Sequence, residues 1–311
     1  MQKRTLGSTG IEVSEVGFGA WQLGNTTDWS GSTDLEAIKL VHKAFDMGCN
    51  FFDTAPNYAS GKSEELLGKA LQGKREQVVI STKFGHFADG HTDFDPALIR
   101  KSVETSLKKL KTAYLDSVLL HNPPQDILEG KQDHYKVLED LKQDGLIKSY
   151  GVSVDSSADM KRVLENSNSE VLEIMFNIFH QETHNAFTLA KEKNIGIIVK
   201  VPLDSGWLTG KYDRNSNFVG IRNRWSREDI NRRANLVEKI IDIKGKEESM
   251  VQEALRFILS YPEISTVIPG VRNDKQLKEN LNASDKDMSP KRVKKYEDLY
   301  LRNIKSDKLP W

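Results

Sequence analysis

Four side chains carry most of the chemistry that can be read in this chain. They are the carboxylate of Asp53 and the phenol of Tyr58 in "FFDTAPNY", the ammonium of Lys83 in "VVISTKF", and the imidazole of His121 in "SVLLH". Together they form a set for moving a proton. A tyrosine phenol titrates near pH ~10 in a model peptide, too high to ionise readily at neutral pH. A neighbouring ammonium lowers that value by stabilising the phenolate. Lys83 can supply this charge, with Asp53 as the counter-ion that holds it. Tyr58 can then act as general acid or base, and His121 can donate a hydrogen bond to an oxygen where negative charge grows. A lone Asp after a strand is most often a turn or cap residue. The case for function therefore rests on the four residues converging.

The elements that must bring them together alternate. A hairpin around Gly7 to Gly10 opens the chain, and a short strand "EVGFGAW" follows. The segment "STDLEAIKLVHKAFDMG" then has helical spacing, with Ala37, Leu40, Val41, Ala44 and Phe45 on one face and Gly48 at its end. The same alternation continues through the strands "NFFDT", "QVVISTKF", "LDSVLLH", "IKSYGVSV", "VLEIMFNIF", "IGIIVKVPL" and "ISTVIPG". Segments such as "VVIS", "SVLL" and "GIIV" are apolar almost throughout, as strands covered on both faces should be. Eight strand–helix units predict a closed (β/α)8 barrel, one domain over residues 1–311, with an N-terminal hairpin and extra helices in the strand 7 loop and the C-terminal tail. A doubly wound open sheet is the alternative. In such barrels the chemistry lies at the C-terminal ends of the strands. Asp53, Lys83 and His121 end the second, third and fourth strands, and Tyr58 lies on the loop after the second.

The order and spacing of "RTLGSTGIEVSEVGFG", "FFDTAPNYASGKSEELLGKAL", "VVISTKFG", "LLHNPP", "YGVS", "PLDSGWLTGKY" and "VIPGVRNDKQLKEN" resemble the aldo-keto reductases over nearly the whole chain, weakening after Asn282. The resemblance implies that Asp53, Tyr58, Lys83 and His121 are the family's catalytic tetrad. It also implies reduction of an aldehyde or ketone, or the reverse oxidation, with Tyr58 supplying or removing the proton. A tetrad of this kind holds no hydride, so a cofactor must carry it.

The dinucleotide fingerprint G-x-G-x-x-G is absent: "GFGAWQLG" has Gly17 and Gly19 but no third glycine at the required step. A phosphate site after strands seven and eight is the barrel's other route. There Ser205, Gly206 and Leu208 can offer backbone N–H groups and a hydroxyl. The resemblance puts Arg272 and Lys275 at the adenosine end, with Gln276 and Asn280 on the helix beyond, and implies NADP(H). It also assigns Gly19, Ala20, Trp21, Asp53, Ser153, Glu173, Pro202, Leu203 and Gly270 to cofactor contacts. Two positions depart from the family pattern. Val154 follows Ser153 where the family often has Asn, and Glu173 stands where it has Gln, so the nicotinamide is expected to be held more loosely.

Other motifs resolve into structure. "GWLTGKY" is one residue short of a P-loop, and Tyr212 stands where Ser or Thr should be. His180 and His184 in "HQETH" lack the order of a zinc helix and read as loop or cap residues, so no metal site is expected. His86 and His91 are expected to shape the substrate mouth. Trp21, Trp29 and above all Trp207 are candidates to line it. The run "NRRANLVEKIIDIKGKEE" reads as the solvated face of an extra helix.

Lys plus Arg and Asp plus Glu both number 45, so no excess of charge points to nucleic acid or a membrane surface. Cys49 is the only cysteine, which leaves no internal disulfide or cysteine cluster. No apolar leader or spanning stretch is apparent. The expectation is a cytoplasmic, monomeric protein acting on a small aldehyde, ketone or sugar-like substrate. Two rivals remain: a slow, cofactor-holding regulatory subunit like the channel β subunits of this fold, and a metal-dependent barrel hydrolase.

Overall fold

The computed structural model describes residues 1–27, 33–220, 223–245 and 248–310. An antiparallel hairpin, β1 (Lys3–Thr5) and β2 (Glu12–Ser14), comes first. Eight parallel strands follow: β3 (Phe18–Gly19), β4 (Phe51–Asp53), β5 (Val79–Phe84), β6 (Leu115–His121), β7 (Ile147–Val154), β8 (Val171–Met175), β9 (Gly196–Lys200) and β10 (Ile264–Val267). Their spatial order is their chain order. Bridges from Val16 to Val267 and from Gly19 to Gly270 bring the first strand against the last and close the barrel. A Cβ at Gly19 would lie 2.7 Å from the Ile268 carbonyl oxygen, so this seam needs glycine.

The helices are α1 (Asp34–Asp46), α2 (Lys62–Ala70), α3 (Ile99–Leu110), α4 (Gln125–Leu128), α5 (His134–Gln143), α6 (Ser157–Asn166), α7 (Phe187–Glu192), α8 (Arg227–Lys244), α9 (Met250–Leu259), α10 (Asp274–Leu281) and α11 (Pro290–Asn303). The eight strand–helix units, the hairpin and the two extra helices, α8 and α11, agree with the sequence reading. Helix α1 begins with a Thr33–Glu36 capping box and buries Ala37, Leu40, Val41 and Ala44. Phe45, expected on that face, is half-buried.

Two apolar clusters result. A large one lies between the sheet and its helices. A smaller one joins Phe51, Val79, Leu119, Val171 and Ile198 of the strands to Leu6 and Val13 of the hairpin segment. The Ser8 amide donates to the Asn194 carbonyl, 2.7 Å away and just before β9. The hairpin therefore plugs the N-terminal mouth and leaves the C-terminal mouth open for a site. None of the described helices is long and apolar enough to cross a membrane.

Three local expectations change. The strand expected through "VLEIMFNIF" stops at Met175, because the Asn177 side chain accepts from the amides of Phe179 and His180 and turns the chain. The first strand stops at Gly19, and Ala20–Gln22 form a 3-10 turn that carries Trp21 outward. Helix α8 is not merely a solvated face: it buries Ile230, Arg233, Ala234, Leu236, Val237 and Ile240.

Candidate active site

Parallel register sets the row of residues at the open mouth. Gly19 pairs with Asp53 across β3 and β4, His121 with Ser153 across β6 and β7, and Ser153 with Glu173 across β7 and β8. Lys83 reaches up from β5. Its Nζ lies 2.7 Å from each Asp53 carboxylate oxygen, 3.1 Å from the Thr54 carbonyl and 3.2 Å from Glu173 Oε2. Asp53, Lys83 and Glu173 are all buried. Tyr58 opens a turn in which Ala59, Ser60 and Gly61 are all left-handed, at φ +49°, +53° and +87°. Two of these are non-glycine residues, a conformation kept only where the surroundings enforce it. This turn puts the Tyr58 ring 5.2 Å from Lys83 Nζ and edge-on to His121 at 6.2 Å between centroids. The four residues picked from the sequence thus converge.

The electrostatics differ from the sequence expectation in one respect. Lys83 was expected to lower the Tyr58 phenol, yet burial, with Asp53 and Glu173 adding to it, outweighs Lys83 and raises the phenol. The main cause is burial, which the sequence reading did not weigh; Asp53 and then Glu173, which that reading set against the cofactor rather than against Lys83, add to it. Burial and the Glu173 charge likewise push the Asp53 carboxyl up to about 8, against the pull of Lys83. Burial opposes the Lys83 ammonium, but Asp53 and Glu173 carry it above its ordinary value. His121 is held neutral by burial, with the charges of Lys83 and Lys200 adding to it. The buried Nδ1 of His121 has no hydrogen-bond partner among the described residues. A neutral ring carries one proton, and leaving Nδ1 as an acceptor spares a buried orphan donor, which leaves Nε2–H to donate.

Glu173 is not a bare carboxylate facing the cleft. Ser153 Oγ donates to its Oε1 at 3.2 Å, and Ser153 Oγ accepts from Lys200 Nζ at 2.7 Å. Its Oε2 is close to Lys83 but outside hydrogen-bond alignment. Lys200 Nζ also reaches Asn122 Oδ1 at 2.9 Å and Asp155 Oδ1 at 3.1 Å. The expectation of a loosely held nicotinamide took Glu173 alone; in the structure its Oε1 is bonded by Ser153, and its Oε2 lies beside Lys83.

A cleft of about 670 Å³ runs from Tyr58, His121, Asp53 and Glu173 past Gly19 and Trp21 to Pro202, Leu203, Ser205 and Gly206, and ends at Gly270, Arg272, Lys275, Gln276 and Asn280. Ala20, Ser153 and Leu208 lie fully buried beneath its surface. The loop after β9 differs in detail from the sequence reading: the amides of Gly206 and Leu208 are both turned onto the Leu203 carbonyl, at 2.8 and 3.2 Å. What this loop offers an anion is the Ser205 hydroxyl, bonded by Arg224 at 3.0 Å, with Lys211 nearby. Gly206 sits at φ +102°, where a side chain would be strained. The N-terminus of α10 closes this end. Asn273 caps it through the Gln276 amide, and Gln276 Oε1 accepts from the Arg272 amide.

The charges divide along the cleft. Arg224, Lys211, Arg272 and Lys275 outnumber Glu279 at one end, and Asp53, Glu173 and Asp155 outnumber Lys83 and Lys200 at the other. This arrangement fits a dinucleotide, whose phosphates suit the cationic end and the helix N-terminus. It fits a ring that becomes cationic on oxidation at the anionic end.

Trp207 does not line the mouth as expected. It is fully buried, packed against Tyr212, Phe218 and Trp225, because its side chain turns inward to fill the core under the long loop. Trp21 does line the cleft, at 40% exposed. Trp29 lies outside the described residues. His86 Nε2 bonds the His121 carbonyl at 3.0 Å, and their rings meet edge-on at 4.8 Å, so His86 braces the site. His91 instead stacks on Phe87. His180 pairs with Asp204, and His184 joins an aromatic cluster with Phe176, Phe187 and Tyr261. Among the described residues no group of three or more metal-binding side chains assembles. Sequence reasoning missed Lys200, Asn122, Asp155 and Arg224. The signal for Lys200 was available, since it ends the apolar strand "GIIVK" as Lys83 nearly ends "VVISTKF".

The sequence model of the aldo/keto reductase family matches residues 15–301. An aldo-keto reductase of Bacillus subtilis is 31% identical over 292 residues, covering 89% of this chain and 87% of that protein. The NADH-specific methylglyoxal reductase of Escherichia coli is 28% identical, covering 93% and 95%. Among solved structures, an aldo-keto reductase of Bacillus halodurans in its holo form superposes with a TM-score of 0.82 at 26% identity, covering 96% of both chains.

Proposed function

Because the chain belongs to the aldo/keto reductase family of oxidoreductases, we propose that it is an enzyme reducing an aldehyde or ketone to the alcohol with NADPH, with Tyr58 as the proton donor. The observation that carries this reading is the convergence of Tyr58, His121 and the Lys83–Asp53 pair at one end of a cleft whose other end is cationic. A bound nicotinamide supplies the hydride. The chain's own residues supply the rest. His121, neutral, orients the substrate oxygen by donating a hydrogen bond. Tyr58 keeps its proton because burial and the nearby carboxylates raise its phenol, and it releases that proton only as charge develops on the oxygen. Lys83, locked by Asp53, then stabilises the phenolate that remains. A phenol held protonated is in the state that carbonyl reduction requires.

The test is to mix the protein with NADPH and a panel of aldehydes and ketones and follow loss of the reduced cofactor. Turnover on the panel supports an enzyme. Tight cofactor binding with no turnover on any carbonyl supports the regulatory subunit instead.

A relative of this chain is named NADH-specific, so cofactor preference needs its own argument. Arg272 and Lys275 lie at the α10 N-terminus, where an extra phosphate gains both charge-assisted hydrogen bonds and the helix dipole. Arg272→Ala is expected to weaken NADPH binding by roughly ten- to a hundredfold, the loss of one such bond, and hardly to change NADH binding. Equal losses for both nucleotides in a titration would show that Arg272 does not read the 2′-phosphate.

A further inference from the structure

The buried groups at the nicotinamide end of the cleft do not balance. Asp53 and Glu173 bring two carboxylates, and Lys83 brings one ammonium. All three are almost wholly removed from water. The second ammonium, Lys200, is already matched by Asp155 at 3.1 Å and reaches Glu173 only through the Ser153 hydroxyl. The remaining neighbours add no positive charge: Tyr58 is a neutral phenol, and His121, braced by His86, is a neutral imidazole. The core Asp53–Lys83–Glu173 thus carries one surplus negative charge whenever both carboxylates are ionised. Glu173 Oε2, next to that core, has no aligned hydrogen-bond donor among the described residues. A buried surplus charge is costly unless something of opposite sign meets it.

Two species can. One is a proton, and the raised Asp53 carboxyl is the signature of the pair taking one up. The other is a cationic ligand in the cleft. A hydride donor must lie against the carbon whose oxygen Tyr58 and His121 hold, and the floor beside them is Glu173. The ring that belongs there is neutral when reduced and cationic when oxidised.

Resting on the proposed NADP(H) reading, we infer that Glu173 gives this end of the cleft a net negative charge that selects the oxidised, cationic nicotinamide over the reduced, neutral one. An amide at this position would leave the core neutral and remove the selection. The consequence is internal to the complex: tighter holding of the oxidised form shifts the equilibrium between the bound species toward oxidised cofactor and alcohol, while the overall equilibrium is unchanged. Glu173 is then a positioning and charge-setting residue, and it exchanges no proton with substrate.

The experiment is equilibrium titration of NADP⁺ and NADPH, each against wild type, Glu173→Gln and Glu173→Asp, with no substrate present. The quantity read is the ratio of the NADP⁺ to the NADPH dissociation constant. At about pH 9, where both carboxylates are ionised, Glu173→Gln is expected to raise that ratio by about tenfold, a charge–charge effect across a short distance at a partly screened site. Glu173→Asp keeps the charge and is expected to leave the ratio close to wild type, which separates charge from shape. Wild type provides a measurement that needs no variant. Protonation of the carboxylate pair removes the surplus charge, so the ratio should be high near about pH 6 and fall toward about pH 9. The 2′-phosphate titrates in both nucleotides and cancels. A ratio unchanged in Glu173→Gln, or flat with pH in wild type, overturns the inference while leaving the functional reading intact. Failure of wild type to bind either nucleotide overturns the functional reading and this inference with it.

Discussion

Tyr58→Phe should lower turnover on any reducible carbonyl by about 10²–10⁴-fold, the usual contribution of a positioned general acid, while leaving NADPH affinity within about twofold. The ring stays, so its edge contact with His121 and the packing against Lys83 are kept. Only the proton is lost. The raised phenol adds a second expectation. An acid whose folded pKa lies above its ordinary value stays protonated through the neutral range, so the reduction rate attributable to Tyr58 should be flat there and fall only in alkali. The reverse oxidation needs the phenolate and should rise with pH over the same span. Steady-state rates in both directions, set beside a direct NADPH titration, check all three points. Retention of more than about a tenth of wild-type turnover by Tyr58→Phe would remove the general acid from this site.

How far the sequence foretold this arrangement depends on the range of the interaction. Asp53, Tyr58, Lys83 and His121 were legible because a parallel barrel puts successive strand ends on one rim. The period of apolar runs is a local signal too, as the face of α1 shows. Glu173 was legible as a position but not as a charge partner. Its role follows from which side of β8 faces the barrel and from the height of Lys83 on β5, and register across three strands is not written in any one of them. Lys200 was missed for the same reason: at the end of β9 it matters through Ser153 and Asp155, which belong to a different strand and loop. Trp207 misled because an aromatic on a mouth loop is as able to fill core as to touch ligand. The decision was made by Tyr212, Phe218 and Trp225, which fold over it from further along the chain. The amides of Gly206 and Leu208 misled in the same way, since their shared acceptor, Leu203, is fixed by a turn with left-handed residues at Val201, Asp204 and Ser205 that propensity does not foretell.

That turn is also where a structural change should cost most. Asp204 is fully buried, and so is the guanidinium-bearing Arg233 of α8. Asp204 Oδ2 takes Arg233 Nε at 3.1 Å, and its Oδ1 takes His180 Nε2 at 3.1 Å. Arg233 goes on to donate to the Pro310 carbonyl at 2.7 Å and lies over the Trp225 ring at 4.9 Å. One carboxylate therefore ties the β9 loop, the extra helix and the C-terminal tail together. Asp204→Ala strands a fully buried guanidinium and places alanine at φ +44°, a conformation that Asp tolerates better. The expected loss is about 3–5 kcal/mol of unfolding free energy, the range for removing one partner of a buried pair. Burial would raise the Asp204 carboxyl, but His180 and Arg233 hold it below its ordinary value. A depressed carboxylate contributes stability that is present above the unfolded value and lost as pH falls through the folded one. The gap between wild type and variant should thus be widest near neutrality and narrow below about pH 4. Ser205 is the next residue along the chain, so NADPH affinity should fall too, whereas a change of stability alone would leave the affinity of the folded fraction untouched. Adding Arg233→Met to Asp204→Ala should recover part of the stability, because the stranded charge is then gone. Denaturant unfolding of the three proteins at neutral and acid pH reads each of these. A loss below about 1 kcal/mol, the worth of an exposed pair, would mean that water reaches Arg233 and that the pair does not hold the loop.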